Sequence, residues 1–211
     1  MRPANRDRCR FRVASCSIAL ILLSALLVFS ASGLNAQYYV YDNASGFHTV
    51  VEIQNTDKFE FIQPGLLGEK VPLEASNISL FYDNGTNAIF EDKGRSIVFE
   101  KGNYTAGYDA ELKNKNFQAI FDNFYNVTLY LPKDYDIRNP LLGMVSTGGN
   151  VSTVKTGDIE SVKIEWTKKA FCEARFYGAF QVQLLTIFGT FWIALLAVFL
   201  FPYILTRKKK E

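Results

Sequence analysis

Histidine and cysteine are both scarce in this 211-residue chain. His48 is the only histidine, and Cys9, Cys16 and Cys172 are the only cysteines. A His-based metal centre needs partner ligands that the chain lacks. No G-x-S-x-G elbow, phosphate-cradling loop or Cys-His pair occurs either. A lone histidine beside an aromatic residue, here Phe47, reads as structural. Asp134 with Asp136, Glu91 with Asp92, and Asp109 with Glu111 are paired carboxylates of the kind that most often sit in solvated turns rather than around calcium. The expectation is therefore a non-enzymatic protein with no catalytic, metal-binding or cofactor-binding residue and no cofactor.

The cysteine shortage also speaks to the compartment. Cys9 and Cys16 lie in the N-terminal leader, so Cys172 stands alone in the body of the chain. An outward-facing domain of this size without an internal disulfide is unusual for an animal secreted protein, and it points to a prokaryotic or archaeal surface. Cys172 itself reads as a small buried hydrophobe. Charge of one sign is scarce too. Setting aside five arginines and Asp7 in the leader, and four basic residues and Glu211 in the tail, leaves 14 basic against 19 acidic residues. A mildly acidic domain is a poor polyanion binder, which excludes nucleic acid as a partner.

The two ends carry the strongest pattern. Arg2, Arg6, Arg8, Arg10 and Arg12 precede an apolar run from Val13 to Phe29, which exits through Ser30, Ala31, Ser32 and Gly33. A positive head, an apolar middle and a small-residue exit make a signal peptide, assigned here to residues 1–33, with cleavage after Ala36 as the alternative. No cysteine follows the run, so no lipoprotein anchor is indicated. A second apolar run, assigned to residues 178–205, contains no charge and is long enough to cross a bilayer. The basic residues Arg207, Lys208, Lys209 and Lys210 follow at once, in the tail 206–211, and basic flanks stay cytoplasmic. The expected localisation is the cell membrane: single-pass, N-terminal domain outside, C-terminus in the cytoplasm. The lipid bilayer is one expected partner and a membrane or envelope protein another. Thr186, Gly189, Thr190, Ala194 and Ala197 recur at helical spacing within the span and form a candidate helix-packing face.

Between the ends, residues 34–177 read as one β-rich domain. Runs rich in Phe, Tyr, Val and Ile cover Gln37–Tyr41, Phe47–Ile53, Ile78–Tyr82, Ser96–Glu100, Tyr104–Leu112, Phe117–Phe121, Asn126–Leu131, Val162–Trp166 and Ala170–Tyr177. Asn84-Gly85, Lys93-Gly94, Lys101-Gly102 and Gly148-Gly149 punctuate them as turn signals. Short strands at this spacing predict an Ig-like β-sandwich or a small barrel, followed by one C-terminal transmembrane helix. Six Asn-X-Ser/Thr sequons lie in the domain, at Asn43, Asn77, Asn84, Asn103, Asn126 and Asn150. They use half of its twelve asparagines between Asn43 and Asn150, which marks an outward-facing glycoprotein. Since Asn and hydroxyl share one face of a strand, Ile78, Tyr104, Val127 and Val151 in the middle positions should face the core.

The segment Leu131–Gly149 is the least ordinary stretch. Pro132, Pro140, Gly143, Gly148 and Gly149 frame a long loop that carries the apolar residues Leu141, Leu142 and Met144. Asn139, Pro140, Leu141, Leu142 and Gly143 form the candidate contact loop, with plugging of one end of the sandwich as the alternative for its leucines. Asn139-Pro140-Leu141-Leu142-Gly143, then Ser146 and Gly148-Gly149, resemble a family of uncharacterised archaeal membrane-anchored proteins, and the likeness continues through Ile164–Trp166 and the C-terminal span with its basic end. That resemblance implies an archaeal cell surface and transfers no activity. The functional expectation is an envelope binding or accessory protein. A subunit of a membrane complex for protein export or membrane-protein assembly is the first alternative, and an ectoenzyme the second.

Overall fold

A computed structural model describes residues 33–156 and 159–207, with side chains at 33–155 and 160–201. The expected signal peptide lies outside the described residues except for Gly33, as do residues 208–211 of the basic tail. The chain runs through β1 (Leu34–Val40), β2 (Gly46–Glu60), β3 (Ile62–Pro64), β4 (Lys70–Pro72), β5 (Ala75–Tyr82), β6 (Phe90–Asp92) and β7 (Ser96–Glu111). It continues through β8 (Asn116–Leu131), β9 (Tyr135–Asp136), β10 (Met144–Val145), β11 (Gly149–Thr156), β12 (Ile159–Arg175) and β13 (Tyr177–Gly178), and ends in helix α1 (Ala179–Arg207). The fold is mainly β with one C-terminal helix long and apolar enough to span a membrane.

Nine of these strands join one sheet in the order β10-β12-β8-β1-β2-β7-β5, with β11 beside β12 and β6 beside β7. Neighbours run antiparallel except β1 and β8, which are parallel. Period-two alternation gives the sheet one buried face. Ala36, Tyr38 and Val40 point inward from β1, Phe47, Thr49, Val51 and Ile53 from β2, and Tyr125, Val127, Leu129 and Leu131 from β8. Val162, Ile164 and Trp166 join them from β12. Each large side chain so buried contributes about 1.5–3 kcal/mol.

A flat sheet would leave that face wet. The long strands solve this by turning a corner. The ring of Phe117, at the start of β8, lies 4.7 Å from the ring of Tyr38, whose partner across the β1–β8 ladder is Leu129. Straight extension would separate residues 117 and 129 by about 40 Å. The start of β8 must therefore lie over its own end. The same holds for β7: Phe59 pairs with Ile97, yet its ring sits 6.3 Å from Tyr108. One sheet thus makes both layers of the core.

The corners fall at register shifts. Between β2 and β7 the shifts lie at Ile53/Thr56 and Thr56/Lys58, with Asn55 at φ 53. Between β8 and β12 they lie at Trp166/Lys169 and Lys169/Phe171, with Lys168 at φ 52. Extra residues on one strand of a pair bend it, which is what a fold-over needs. The separate strands expected at Ser96–Glu100 and Tyr104–Leu112 are one strand, β7, and Lys101-Gly102 sits inside it rather than in a turn. Phe117–Phe121 and Asn126–Leu131 likewise merge into β8. The connection from β7 to β8, which are not neighbours in the sheet, turns on Asn114 and Lys115, both at positive φ, with the Asn116 N–H donating to the Lys113 carbonyl at 3.0 Å: a type I′ pattern without glycine.

Cys172 lies on β12 past the corner and is fully buried. Burial pushes its thiol up to about 12, only partly offset by Lys169. It fills core space and is not poised to bridge two chains. Maleimide should leave native protein unlabelled at Cys172 and react after denaturation; labelling of the native protein at the rate of free cysteine would contradict this packing.

Candidate functional site

The candidate contact loop is built as a fastening. Asp136 on β9 accepts backbone N–H bonds from Ile137 at 2.7 Å and Arg138 at 3.0 Å, and it pairs with the Arg138 guanidinium. Those bonds, the Arg138 side chain first, hold the Asp136 carboxyl below its ordinary range despite partial burial. Its lone pairs are thus committed locally, not arranged around a cation. Asn139 then closes the turn: its Oδ1 accepts from the Leu141 N–H at 2.9 Å, and its carbonyl accepts from the Gly143 N–H at 2.7 Å. The Asn139 N–H itself donates to the Tyr177 hydroxyl at 3.0 Å. Tyr177 belongs to β13, which pairs with β9 and runs into α1 without a linker. The loop therefore ties the domain to the residues that enter the helix.

The remaining residues of the motif have structural roles of the same kind. A Cβ on Gly143 would collide with the Ile137 carbonyl, and one on Gly149 with the Trp166 indole. Ser146 bridges to β12, donating its N–H to the Glu173 carbonyl at 2.8 Å and accepting the Glu173 N–H on Oγ at 3.0 Å. The two leucines part company. Leu141 is 77% exposed, whereas Leu142 is half-buried. Pro140 is exposed on the same tip.

A second apolar pair was missed by sequence reasoning. Leu66 and Leu67, at the tip of the β3–β4 hairpin, are fully exposed. The signal was available: Pro64-Gly65-Leu66-Leu67-Gly68 frames two leucines with turn formers, as Asn139–Gly143 does. Leu66 lines a cleft together with Lys113 and Arg175, so this tip also lies beside the approach to the helix.

The sequons occupy varied settings. Asn43 and Asn84 sit in exposed turns where Oδ1 accepts both the N–H and the hydroxyl of Ser45 or Thr86, at 2.6–3.0 Å. Asn103 and Asn150 are exposed on strands. Asn77 is exposed, but its amide donates to Asp109 at 2.6 Å. Asn126 is half-buried at the β8 corner, donating to Asn35 and accepting from the Lys168 N–H. The middle residues Tyr104 and Val127 are buried, and Ile78 and Val151 pack against the core from its margin.

Asp109 gathers a polar cluster on the outer face. His48 Nδ1 lies 2.6 Å from its Oδ1, the Asn77 amide donates to its Oδ2 at 2.6 Å, and the Tyr41 hydroxyl is close by. Partial burial works to raise the carboxyl, but hydrogen bonds from Asn77, His48 and Tyr41 outweigh it and hold Asp109 below its ordinary range. Ser79 is nearby, yet its hydroxyl donates to the Gly107 carbonyl at 3.3 Å rather than to the imidazole. The arrangement fastens β2, β5 and β7 together. It lacks a nucleophile joined to a base.

On α1, the Thr186 hydroxyl donates to the Val182 carbonyl and that of Thr190 to the carbonyls of Thr186 and Ile187. With its hydroxyls satisfied internally, the face of Thr186, Gly189, Thr190, Ala194 and Ala197 is sterically low and free of dangling donors. The apolar portion, Ala179–Phe201, has a mean hydropathy of 2.5. At 1.5 Å per residue it is about 35 Å long, enough for a bilayer core.

Fold and site together define a class: a folded-over β domain latched to a single helix of membrane-spanning length. Within that class the chain belongs to DUF5803, a family of unknown function, which it matches over residues 32–206. No curated protein matches the chain.

The latch yields a graded expectation. Leu141→Ser should change stability by no more than about 0.5 kcal/mol, as exposed substitutions do. Gly143→Ala, which drives a Cβ into the Ile137 carbonyl, should lower stability by about 1–3 kcal/mol. Melting curves of the purified full-length protein decide this: a neutral Gly143→Ala, or a strongly destabilising Leu141→Ser, would contradict the packing described.

Proposed function

We propose that this protein is a non-enzymatic, single-pass surface glycoprotein of an archaeal cell envelope. Its β domain faces outward, its C-terminus lies in the cytoplasm, and it acts as a binding or accessory protein. The carrying observation is the latch. Because β13 continues straight into α1 and the Asn139 turn grips Tyr177, the domain is held at the start of the helix instead of swinging on a tether. Such a device suits a protein that presents a surface at a set height above a bilayer. The surface on offer is apolar at two tips, Leu66-Leu67 and Leu141, both beside the residues that lead into α1. Exposed leucines on well-formed turns mark contact sites.

Orientation rests on the basic cluster after the apolar run and on the leader-like N-terminus. β1 starts at Leu34, so cleavage after Gly33 leaves it whole, whereas cleavage after Ala36 would remove half of the residues that pair with β8. The sequons at Asn43 and Asn84, in exposed turns with no amide bond to a neighbour among the described residues, are the best placed to carry glycans.

A second reading, a subunit of a membrane complex, is favoured by the low, internally satisfied face of α1 around Gly189. The ectoenzyme alternative is disfavoured by the way Ser79 and His48 each bond elsewhere.

The proposal has a direct check. In intact cells, external protease should remove the domain and leave a membrane-held C-terminal fragment. Asn43→Gln and Asn84→Gln should each lower the mass of the mature protein, while Asn126→Gln should not. Full protection from protease in intact cells that becomes susceptibility on lysis would overturn the outward orientation.

A further inference from the structure

Three turns close the end of the domain from which α1 leaves. The tip of the β3–β4 hairpin is drawn in by the Gly65 N–H, which donates to the Glu69 carbonyl at 2.6 Å, and it carries the fully exposed Leu66 and Leu67. The turn at Asn114 and Lys115 is tied to the helix entrance, with the Lys115 carbonyl accepting the Phe176 N–H at 3.1 Å. The Asn139 turn, gripped by Tyr177, carries Leu141. The middle turn separates the other two. Lys113 and Asn114 line one cleft with Leu66 and Arg175, and Lys115 lines another with Lys133, Asn139 and residues 179–182 of α1. The leucine tips therefore stand at two separate places around the helix entrance. β1 begins at the opposite end, where Leu34 pairs with Tyr125 at the corner of β8.

The composition of α1 sets its depth. Leu184–Leu205 is an uncharged run of 22 residues, about 33 Å long, which matches a bilayer core of about 30 Å. Gln181 and Gln183 precede it, so residues 179–183 fall in the adjoining headgroup layer, about 5–7 Å thick. The cleft lined by Lys115, Lys133 and Asn139 opens beside these same residues, and Phe180 and Val182 are exposed there. Lys113, Lys115, Lys133 and Arg175 make no ion pair among the described residues. The Lys115 ammonium lies 5.2 Å from the centre of the Tyr135 ring in that cleft. Most carboxylates at this end are engaged. Asp136 pairs with Arg138, whose charge Glu160 also favours, Glu69 accepts the Leu67 N–H, and Glu173 accepts from the amides of Asn116 and Gln118. Glu111 and Asp134 remain in the two clefts.

We propose that this end of the domain seats on the bilayer that α1 spans. Leu66, Leu67 and Leu141 enter the boundary between headgroups and acyl chains, while Lys113, Lys115, Lys133 and Arg175 meet lipid phosphates. The inference rests on the reading of α1 as a membrane span and deepens it by naming the bilayer surface as the partner of the leucine tips. It holds for whichever leaflet the domain faces. A bilayer fits these tips better than a protein does, because a surface through which α1 passes meets separate turns around the helix at once. Leucines leave water at that boundary, and lysines lay their stems along apolar surface while the ammonium stays at phosphate level.

The test reads depth in the full-length protein, reconstituted into vesicles of phosphatidylcholine and phosphatidylglycerol. Cys9 and Cys16 are changed to serine, and Cys172 is buried. An environment-sensitive fluorophore is attached to one new cysteine at a time: Leu66→Cys, Leu141→Cys, Asn123→Cys at the far corner, or Leu196→Cys within the span. Lipids with a nitroxide high or low on the acyl chain act as quenchers. At Leu66→Cys and Leu141→Cys the shallow nitroxide should quench better than the deep one by roughly twofold or more, and neither should quench Asn123→Cys. Leu196→Cys should show the reverse preference. Changing Lys113, Lys115 and Lys133 together to glutamate should cut the shallow quenching at Leu141→Cys to about half or less. The same change at Lys58, Lys101 and Lys168, which lie at the corners, should leave it unaltered. Tips quenched no better than Asn123→Cys, or quenching at one tip alone, would overturn the seating, and this readout needs no charge variant to fold. Unaltered quenching after the Lys113, Lys115 and Lys133 exchange would overturn the phosphate contacts. Deep quenching at Leu196→Cys beside unquenched tips contradicts the seating alone, whereas its absence contradicts the span on which both readings rest.

Discussion

The corner in each long strand is the constraint on which the rest of this domain depends. A one-sheet domain with a single apolar face has to close that face against something, and here it closes against itself. Tyr38 meets Phe117, and Phe61 meets Tyr108 with ring centroids 5.0 Å apart, so aromatic contacts span the two layers. Edge-to-face geometry at these distances adds to the area buried. Bulges at Asn55 and Lys168 take up the backbone change, with non-glycine residues at positive φ. Such residues are uncommon and persist only where surrounding structure over-determines them. Here the over-determination is the core itself.

Much of the fold was legible in the sequence, and where reading failed is informative. Apolar alternation located β1, the first half of β2, β5 and the two halves of β7 and of β8, because period two survives wherever one face is buried, whereas β11 with Asn150 was not among the expected runs. The breaks read at Lys101-Gly102 and near residues 122–125 were real interruptions of that period. They turned out to be corners within β7 and β8, since a bulge and a turn leave the same mark on a linear pattern. The Asn114-Lys115 turn carried no glycine and left little mark. The single-sheet origin of both layers was not readable at all, because it depends on which strands pair across long separations.

The candidate sites divide along similar lines. Asn139 to Gly149 stood out in the sequence because proline and glycine are conspicuous, and each conspicuous residue proves to hold backbone in place: Asn139 caps, Gly143 and Gly149 allow close approach, Ser146 bridges. The most exposed large apolar residue of that segment, Leu141, is only one of three leucines on two tips. The Asp109 cluster was invisible because Tyr41, His48, Asn77 and Asp109 come from distant parts of the chain. A cavity at the corner was equally invisible, since its lining comes from β1, β2, β7 and β8 together.

The fold-over itself can be measured as one distance. Spin labels on cysteines placed at Gln118 and Thr128, both partly exposed on β8, lie ten residues apart in sequence. A straight strand would hold the two backbone positions about 34 Å apart, whereas packed layers are spaced about 10 Å. In the full-length protein with Cys9 and Cys16 changed to serine, and with Cys172 buried, a single distance population well under 30 Å is expected. A population centred at or above that of the straight strand would contradict the account, because the core described here could not then form.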